Sequence, residues 1–329
     1  MIEIIDLSNM PLSDRNGSYG GLAGLKDGII YNYEYWIVKY PKNTDSMRNV
    51  DISYTTAPLS EFIGSHIYNF LGIDAHETIL GFRKNKIVVA CRDFCETEGA
   101  LREIRTIKNY ANEYLSEILE RDFKGTGSSD TTIDLEETLL HLKYNDILTG
   151  IDGIKERFWN SVVVDALINN NDRNNGNWGI LKTYNGYVLA PVFDNGASFS
   201  NKISEEKIHD MLQNKDKLIQ SSIGTVTIYS KNDKAYTTKK LFNAGFEDLD
   251  KAILRLVPKI REKFPEIINF INDIPNTYNG IPVCSEERKE FYIKGMEYRF
   301  QYIIEERYKQ ISSSSGNSNN LFYLDDFDL

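Results

Sequence analysis

The stretch Asn169-Asn170-Asn171-Asp172-Arg173-Asn174-Asn175-Gly176-Asn177, followed sixteen residues on by Phe193-Asp194-Asn195-Gly196, decides how this chain is read. The first run follows an apolar segment, residues 154–169, with helical spacing. It precedes two short apolar runs, residues 178–183 and 187–192, that turn on Asn185-Gly186. Asn-Gly between two such runs is a strong hairpin signal. Alone, the polar run reads equally as an ordinary loop, because Asn and Asp satisfy their own backbone there. The hairpin shifts that balance. Its second strand returns beside its first, so the end of the second lies against the start of the first. Asp194 is thereby expected beside Asn177, and two carboxylates and an amide oxygen converge without any long-range assumption.

A few oxygen donors of this kind suit Mg²⁺ held together with phosphate and water, whereas Ca²⁺ calls on more carboxylates from one continuous loop. An Asp followed five residues later by Asn, then an Asp-x-Gly after a hairpin, is the spacing of the catalytic and metal loops of protein-kinase-like phosphotransferases. In that arrangement Asp172 orients or accepts the proton of an attacking hydroxyl, and Asn177 and Asp194 hold magnesium. Arg173 reads as a loop-structural residue that pairs with an acid.

Such a centre requires a phosphate side upstream. Asn16-Gly17-Ser18-Tyr19-Gly20-Gly21-Leu22-Ala23-Gly24 can present backbone N–H groups to phosphate, with Gly20, Gly21 and Gly24 as the permissive positions. It is not a Walker loop, because no Gly-Lys-Ser/Thr follows. Lys39 shares a strand face with Tyr35 and Ile37, a costly place for a lysine without a neutralising partner. ATP phosphate and Glu61, near the start of a helix over residues 59–71, are the natural partners. Taken singly, Lys39 reads as well as a snorkelling strand-end lysine, and Glu61 as an acid favouring a helix N-terminus. The ordered set of Gly loop, Lys, Glu, Asp-x₄-Asn and Asp-x-Gly favours the paired reading. Residues 87–94 read either as a plain edge strand or as a hinge where backbone at Cys91 to Asp93 meets the adenine edge.

Working outward, residues 1–97 read as a small β-rich lobe with strands at residues 2–7, 24–31, 35–41, 77–82 and 87–90. Residues 98–311 read as a helical lobe, with helices at residues 100–121, 135–149, 154–169, 247–257 and 286–310. Residues 312–329 read as a flexible linker and an acidic, aromatic tail. The expected class is α+β, a two-lobed protein-kinase-like fold. A 329-residue chain with 41% apolar and 26% charged residues is long enough to give each lobe a core. Its net charge of −10 disfavours direct nucleic-acid binding or an anionic membrane surface, both of which need basic surface. Cys91, Cys95 and Cys284 form no disulfide framework or metal spacing. The N-terminus shows no basic-then-apolar signal region and no run approaches membrane-spanning length, so a cytoplasmic protein is expected.

These segments resemble the HipA-like serine/threonine kinases, and within them the short cell-translocating kinase A type. The resemblance is carried by Trp36-Ile37-Val38-Lys39-Tyr40-Pro41, Ser60-Glu61-Phe62, residues 84–94, residues 171–179 and residues 189–196, with weaker support at residues 254–260 and 288–292. It covers about residues 12 to 310. It implies a two-lobed kinase using ATP and Mg²⁺ on protein serine or threonine. It also implies autophosphorylation on the Gly-rich loop, with Ser18 the first candidate and Ser13 the second. A toxin with an antitoxin partner, or an effector translocated from its cell, are the two roles the resemblance implies. The chain departs from the family at Asn174, where His is common after Asp-Arg. Two alternatives stay open: a kinase of a lipid or small-molecule hydroxyl, and an ATP-binding pseudokinase serving as an interaction module. The acidic charge speaks against the lipid, and the intact Lys39, Glu61, Asp172, Asn177 and Asp194 against the pseudokinase.

Overall fold

The computed structural model of the chain describes residues 1–16, 26–95, 99–127 and 132–321. The small lobe is a five-stranded sheet in the order β1-β4-β5-β3-β2, built from β1 (Ile5–Asp6), β2 (Lys26–Tyr31), β3 (Glu34–Lys39), β4 (Thr78–Arg83) and β5 (Lys86–Arg92). Two-residue turns at Asn32-Tyr33 and Lys84-Asn85 close its hairpins, and all four residues take positive φ (50°, 65°, 51° and 56°). That geometry matches the right-handed twist of the flanking strands.

Strand β5 is central and apolar on both faces. Val88 and Ala90 pack with Leu7, Ile29, Trp36, Val38 and Tyr40 in a core on one side of the sheet. Val89 and Cys91 join the main core, which includes Phe62, Ile63, Ile67 and Leu71 of helix α1 (Ala57–Phe70). Pro58 sits in the first turn of α1, where its missing N–H costs nothing, and Gly72 follows its end at φ 74°. Each fully buried aliphatic here contributes on the order of 1.5–3 kcal/mol relative to exposure.

The rest is mostly helical. Strand β6 (Ala100–Glu103) leads into α2 (Ile104–Leu119), and β7 (Ile133–Asp134) into α3 (Leu135–Tyr144) and the single turn α4 (Asp146–Thr149). Helix α5 (Ile154–Ile168) ends where the Asn-rich run begins, and the hairpin β8 (Gly179–Thr183)–β9 (Gly186–Leu189) follows that run. Beyond it come α6 (Glu205–Leu212), α7 (Lys215–Ile223), the hairpin β10 (Val226–Lys231)–β11 (Lys234–Thr237) and α8 (Thr238–Phe242). The long α9 (Glu247–Asn272), then α10 (Glu286–Arg299), a π-helical turn (Phe300–Ile304) and α11 (Glu305–Leu321) complete the lobe.

Several boundaries differ from the sequence reading. Residues 100–103 are not the start of a helix; they pair antiparallel with β8, Ala100 opposite Lys182 and Glu103 opposite Gly179. The expected helix over 135–149 breaks at Asn145, whose side chain accepts from Ile147 N at 3.1 Å and starts a new turn. Helix α9 runs past Val257 through Pro258 and Pro265. Both prolines are exposed, so the carbonyls they free face water, while Ile253, Leu256, Val257, Ile260, Ile267 and Ile271 keep the buried stripe continuous. The β8–β9 turn falls on Tyr184-Asn185, with Gly186 opening the return strand at φ 121°. The linker expected from residue 312 is helical backbone to Leu321, an extension that serine disfavours only weakly once a packed helix leads into it. The aromatic tail beyond it lies outside the described residues. Among the described residues no helix is long and apolar enough to cross a membrane.

Candidate active site

Hairpin pairing from Lys26↔Lys39 to Tyr31↔Glu34 sets Lys39 at the end of β3, opposite Val89 of β5. Helix α1 crosses the same sheet face and delivers Glu61, which is only 2% exposed. Lys39 Nζ donates to Glu61 Oε1 at 3.2 Å and also to Asp194 Oδ1. Burial alone would favour neutral Lys39, but Asp194 and Glu61 outweigh it and hold the ammonium well above its ordinary pKa. Burial likewise opposes the Glu61 charge; Lys39 and His76 nonetheless keep that carboxyl well below the usual range. His76 Nε2 stands 2.9 Å from Glu61 Oε1.

Asp194 reaches Lys39 from the loop that follows β9. Its φ is +56°, a left-handed conformation that Asp tolerates better than most residues. Gly196 allows the loop to pass the α1 helix, since a Cβ there would stand 3.1 Å from Glu61 Oε2 and 3.4 Å from Ala57 O. That close approach is a physical reason for glycine in this Asp-x-Gly.

The Asn-rich run is folded by its own side chains. Asn169 closes α5 at φ 56°. Asn170 Oδ1 accepts from Asp172 N at 3.2 Å, and Asn174 Oδ1 accepts from Gly176 N at 2.8 Å. Asp172 is exposed, and its carboxylate accepts from Asn174 Nδ2 at 3.0 Å and Asn177 Nδ2 at 3.4 Å. Asn174 therefore holds the Asp172 carboxylate through an amide. Asn177 Nδ2 also donates to the Asp172 carbonyl at 2.5 Å, which leaves Oδ1 as the amide's ligand atom.

Arg173 is buried and binds the two loops together. Its guanidinium pairs with both Asp165 oxygens, Nε at 3.0 Å and Nη2 at 2.9 Å. Nη1 donates to the Asn177 carbonyl at 3.0 Å and to the Phe193 carbonyl, and Nη2 donates to Asn195 Oδ1. One nitrogen bridging the carbonyls of Asn177 and Phe193 places the Asp194 loop against the end of the Asn-rich loop. Asp165 is completed by Tyr68 Oη at 2.8 Å and Asn170 Nδ2 at 3.0 Å.

Other expected positions fall differently. Strand β5 is paired on both sides at Cys91, with Ile37 and Thr78. Arg92 N donates to Glu77 O and Asp93 N to Tyr35 O, each at 2.9 Å. Those pairings commit the backbone at Cys91 and the N–H groups of Arg92 and Asp93 to neighbouring strands. Cys91 instead enters the site through its thiol, within 4.8 Å of ligand atoms of Glu61 and His76, and burial pushes its pKa up. The Asp93 carboxylate serves the local fold, accepting from Arg15 Nη1 and Cys95 N, both at 2.9 Å. Ser13 is buried, 6% exposed. Ser18, Gly20, Gly21 and Gly24 lie outside the described residues.

The sequence reading missed Asp165, Ser65, His76 and Asn195. A signal existed for Asp165 alone, as the one acid within the apolar Val162–Ile168 portion of α5.

A strand lysine paired with the glutamate of a sheet-packed helix and with the Asp of an Asp-x-Gly loop, itself tied to an Asp-x₄-Asn loop, defines a protein-kinase-like phosphotransferase. No family model matches the chain. It is 31% identical over 314 residues to the serine/threonine-protein kinase CtkA of Helicobacter pylori (strain J99 / ATCC 700824), covering 92% of this chain and 86% of that protein. The crystal structure of a Helicobacter pylori proinflammatory kinase CtkA superposes with a TM-score of 0.81 at 30% identity, over 95% of this chain and 99% of that one. The chain belongs to the CtkA-type serine/threonine protein kinases, for which ATP is the phosphoryl donor. A chain of the Shewanella oneidensis MR-1 HipA–HipB toxin–antitoxin complex with operator DNA shares the fold, with a TM-score of 0.50 at 13% identity over 91% of this chain and 70% of that one.

Proposed function

We propose that this site transfers the γ-phosphoryl of ATP, with Mg²⁺, to a serine or threonine hydroxyl of a protein, Asp172 serving the hydroxyl and Asn177 with Asp194 serving the metal. The observation that carries this reading is Lys39 bonded at once to Glu61 of the small lobe and Asp194 of the metal loop. The donor set fits a hard cation: Asp194 offers its half-exposed carboxylate, and Asn177 offers Oδ1. Mg²⁺ bound there would neutralise phosphate oxygens and fix their orientation. Lys39 supplies a fixed positive charge at the same place, and Glu61 keeps it aimed. Asp172 stands exposed at the loop tip, where an incoming hydroxyl can reach its carboxylate.

The test is phosphoryl transfer from γ-labelled Mg²⁺-ATP to the chain itself and to a generic protein acceptor. Asp172→Ala and Asp194→Ala are each expected to abolish labelling, and mass spectrometry of the wild type is expected to find phosphate on Ser18. Labelling that survives in either variant would overturn the reading.

We favour an effector-like kinase over a toxin held by an antitoxin because the match extends over 99% of the solved Helicobacter pylori kinase, which is described as proinflammatory. Unpartnered expression in a bacterial host decides between them: growth arrest relieved by Asp194→Ala would support the toxin role instead.

A further inference from the structure

We infer that His76 is a positioning residue of the phosphoryl-transfer site, the joint that sets the Lys39–Glu61 pair and the Asp194 loop in one frame. The inference rests on the functional reading above and adds to it a buried support that neither loop motif contains.

The main chain of His76 is fastened to the metal loop. His76 N donates to Val192 O at 2.9 Å, Val192 N donates to Asp74 O at 2.9 Å, and Ala75 bridges Val192 in parallel. Val192 lies two residues before Asp194. The segment entering β4 is thus stitched to the segment entering the metal loop.

The side chain continues the connection. Nε2 lies 2.9 Å from Glu61 Oε1 and 3.1 Å from Ser65 Oγ. An ionised carboxylate only accepts, so Nε2 carries the proton and is shared between the two oxygens. Ser65 sits four residues after Glu61, on the same face of α1. Its Oγ also accepts from Asn195 Nδ2 at 3.0 Å. Asn195 Oδ1 accepts from Arg173, whose other donors hold the Asn177 and Phe193 carbonyls. The chain of contacts therefore runs Lys39, Glu61, His76, Ser65, Asn195, Arg173 without a break. Its interior is buried: Glu61 is 2% exposed, Ser65 and Asn195 0%, His76 4% and Arg173 3%.

In such a setting water cannot replace a lost donor, and a half-satisfied network is costly. Glu61 Oε1 bears both Lys39 and His76. Removing His76 leaves that oxygen with Lys39 alone and lets the glutamate turn, carrying Lys39 with it. A histidine that merely filled the core would be replaceable by any side chain of similar size; one that positions Glu61 requires its N–H.

The experiment compares steady-state kinetics of the full chain with His76→Leu, His76→Gln and Ser65→Ala, alongside Asp194→Ala. His76→Leu is expected to lower kcat about 10- to 100-fold while the KM for ATP changes by less than about 3-fold, the signature of misplacement rather than lost binding. His76→Gln, which restores an N–H donor, is expected to recover at least about tenfold of any loss approaching that upper limit. The pair His76→Leu with Ser65→Ala is expected to be no slower than His76→Leu alone, because both cut one network. Melting temperatures of His76→Leu and His76→Gln are read in parallel. Wild-type kcat in folded His76→Leu, or a glutamine variant no faster than the leucine one, overturns the inference. Where His76→Leu does not fold, wild-type kcat in both His76→Gln and Ser65→Ala overturns it equally. If Asp194→Ala stays active, the functional reading fails; if Asp194→Ala is inert while the His76 variants are normal, only this inference fails.

Discussion

Replacing Arg173 with methionine separates what its guanidinium does for stability from what it does for chemistry. Methionine keeps much of the buried volume and removes every donor. Asp165 would lose bonds of 3.0 and 2.9 Å but keep Tyr68 Oη at 2.8 Å and Asn170 Nδ2 at 3.0 Å. Breaking a buried pair costs about 3–5 kcal/mol, and the two remaining donors put this case toward the lower end. The Asn177 and Phe193 carbonyls also lose a donor, at about 1–3 kcal/mol for each one that water fails to reach. We therefore expect Arg173→Met to lose about 4 kcal/mol or more, a large part of the roughly 5–15 kcal/mol that holds an ordinary domain together.

The companion is the double variant Arg173→Met with Asp165→Leu. Exchanging a whole buried ion pair for apolar residues of similar volume is often neutral or stabilising. Stability should therefore return part of the way toward the wild type, held short of it because Tyr68 Oη and Asn170 Nδ2 lose their Asp165 acceptor. Activity should not, because the carbonyls of Asn177 and Phe193 are still unheld and the two loops are free to drift apart. Urea denaturation followed by circular dichroism gives the first quantity, and kcat with Mg²⁺-ATP the second. A double variant that regains activity, or a single variant with an unchanged midpoint, would show that Arg173 does not organise the loops.

Two further outcomes follow from the packing around the same centre. Gly64→Ala puts a Cβ 2.8 Å from the Cβ of Asn195, where no rotamer can relieve the contact. Alanine would gain about 1 kcal/mol in helix propensity, but overpacking costs about 1–3 kcal/mol; the steric effect should win, lowering both the thermal midpoint and kcat, and a stabilised, fully active variant would contradict it. Acid should selectively weaken the small lobe. Glu61 is held low by Lys39 and His76 against the opposing effect of burial; Asp27 is held low by Lys84, Tyr40 and Arg83, again against burial. Their contribution is complete above the unfolded values near pH 4 and is lost as pH falls through the depressed folded values. Denaturation midpoints between pH 6 and 3 should fall, and fall less steeply in Glu61→Gln and Asp27→Asn; equal slopes in all three proteins would refute the assignment.

What could be read in the sequence divides along a physical line. The Lys39–Glu61–Asp194 cluster and the Asp172–Asn177 pair could be anticipated as neighbours because the proposed phosphate and metal chemistry restricts residue type, and because hairpin geometry is local. The Asn-Gly signal even misplaced its turn by one residue without harming the argument, since what mattered was that the two strands return together. Strand β6 was illegible for the opposite reason. Ala100-Leu101-Arg102-Glu103 has no strand signature of its own and is extended only because β8, some eighty residues later, offers it partners. The β10–β11 hairpin did carry a signal, the Asn232-Asp233 turn with φ of 51° and 59°, in a polar stretch whose weak periodicity hid it.

The residues that hold the site together were hidden more deeply. Arg173 could be expected to meet an acid, but nothing near it in the chain says which; the answer, Asp165, lies eight residues back, in the last turn of a helix whose exit bends the loop over it. Serine, histidine and asparagine at positions 65, 76 and 195 are ordinary polar residues in sequence, and many others could donate or accept equally well in isolation. Only the closure of α1 on the metal loop, with Gly64 against Asn195 and Ser60 Oγ on the Ser198 carbonyl at 2.9 Å, converts them into a continuous connection. Reacting groups are constrained by what they touch, and their supports by where the chain happens to cross. A motif can therefore announce the chemistry of this protein while leaving the frame that aligns it to be found in the folded chain.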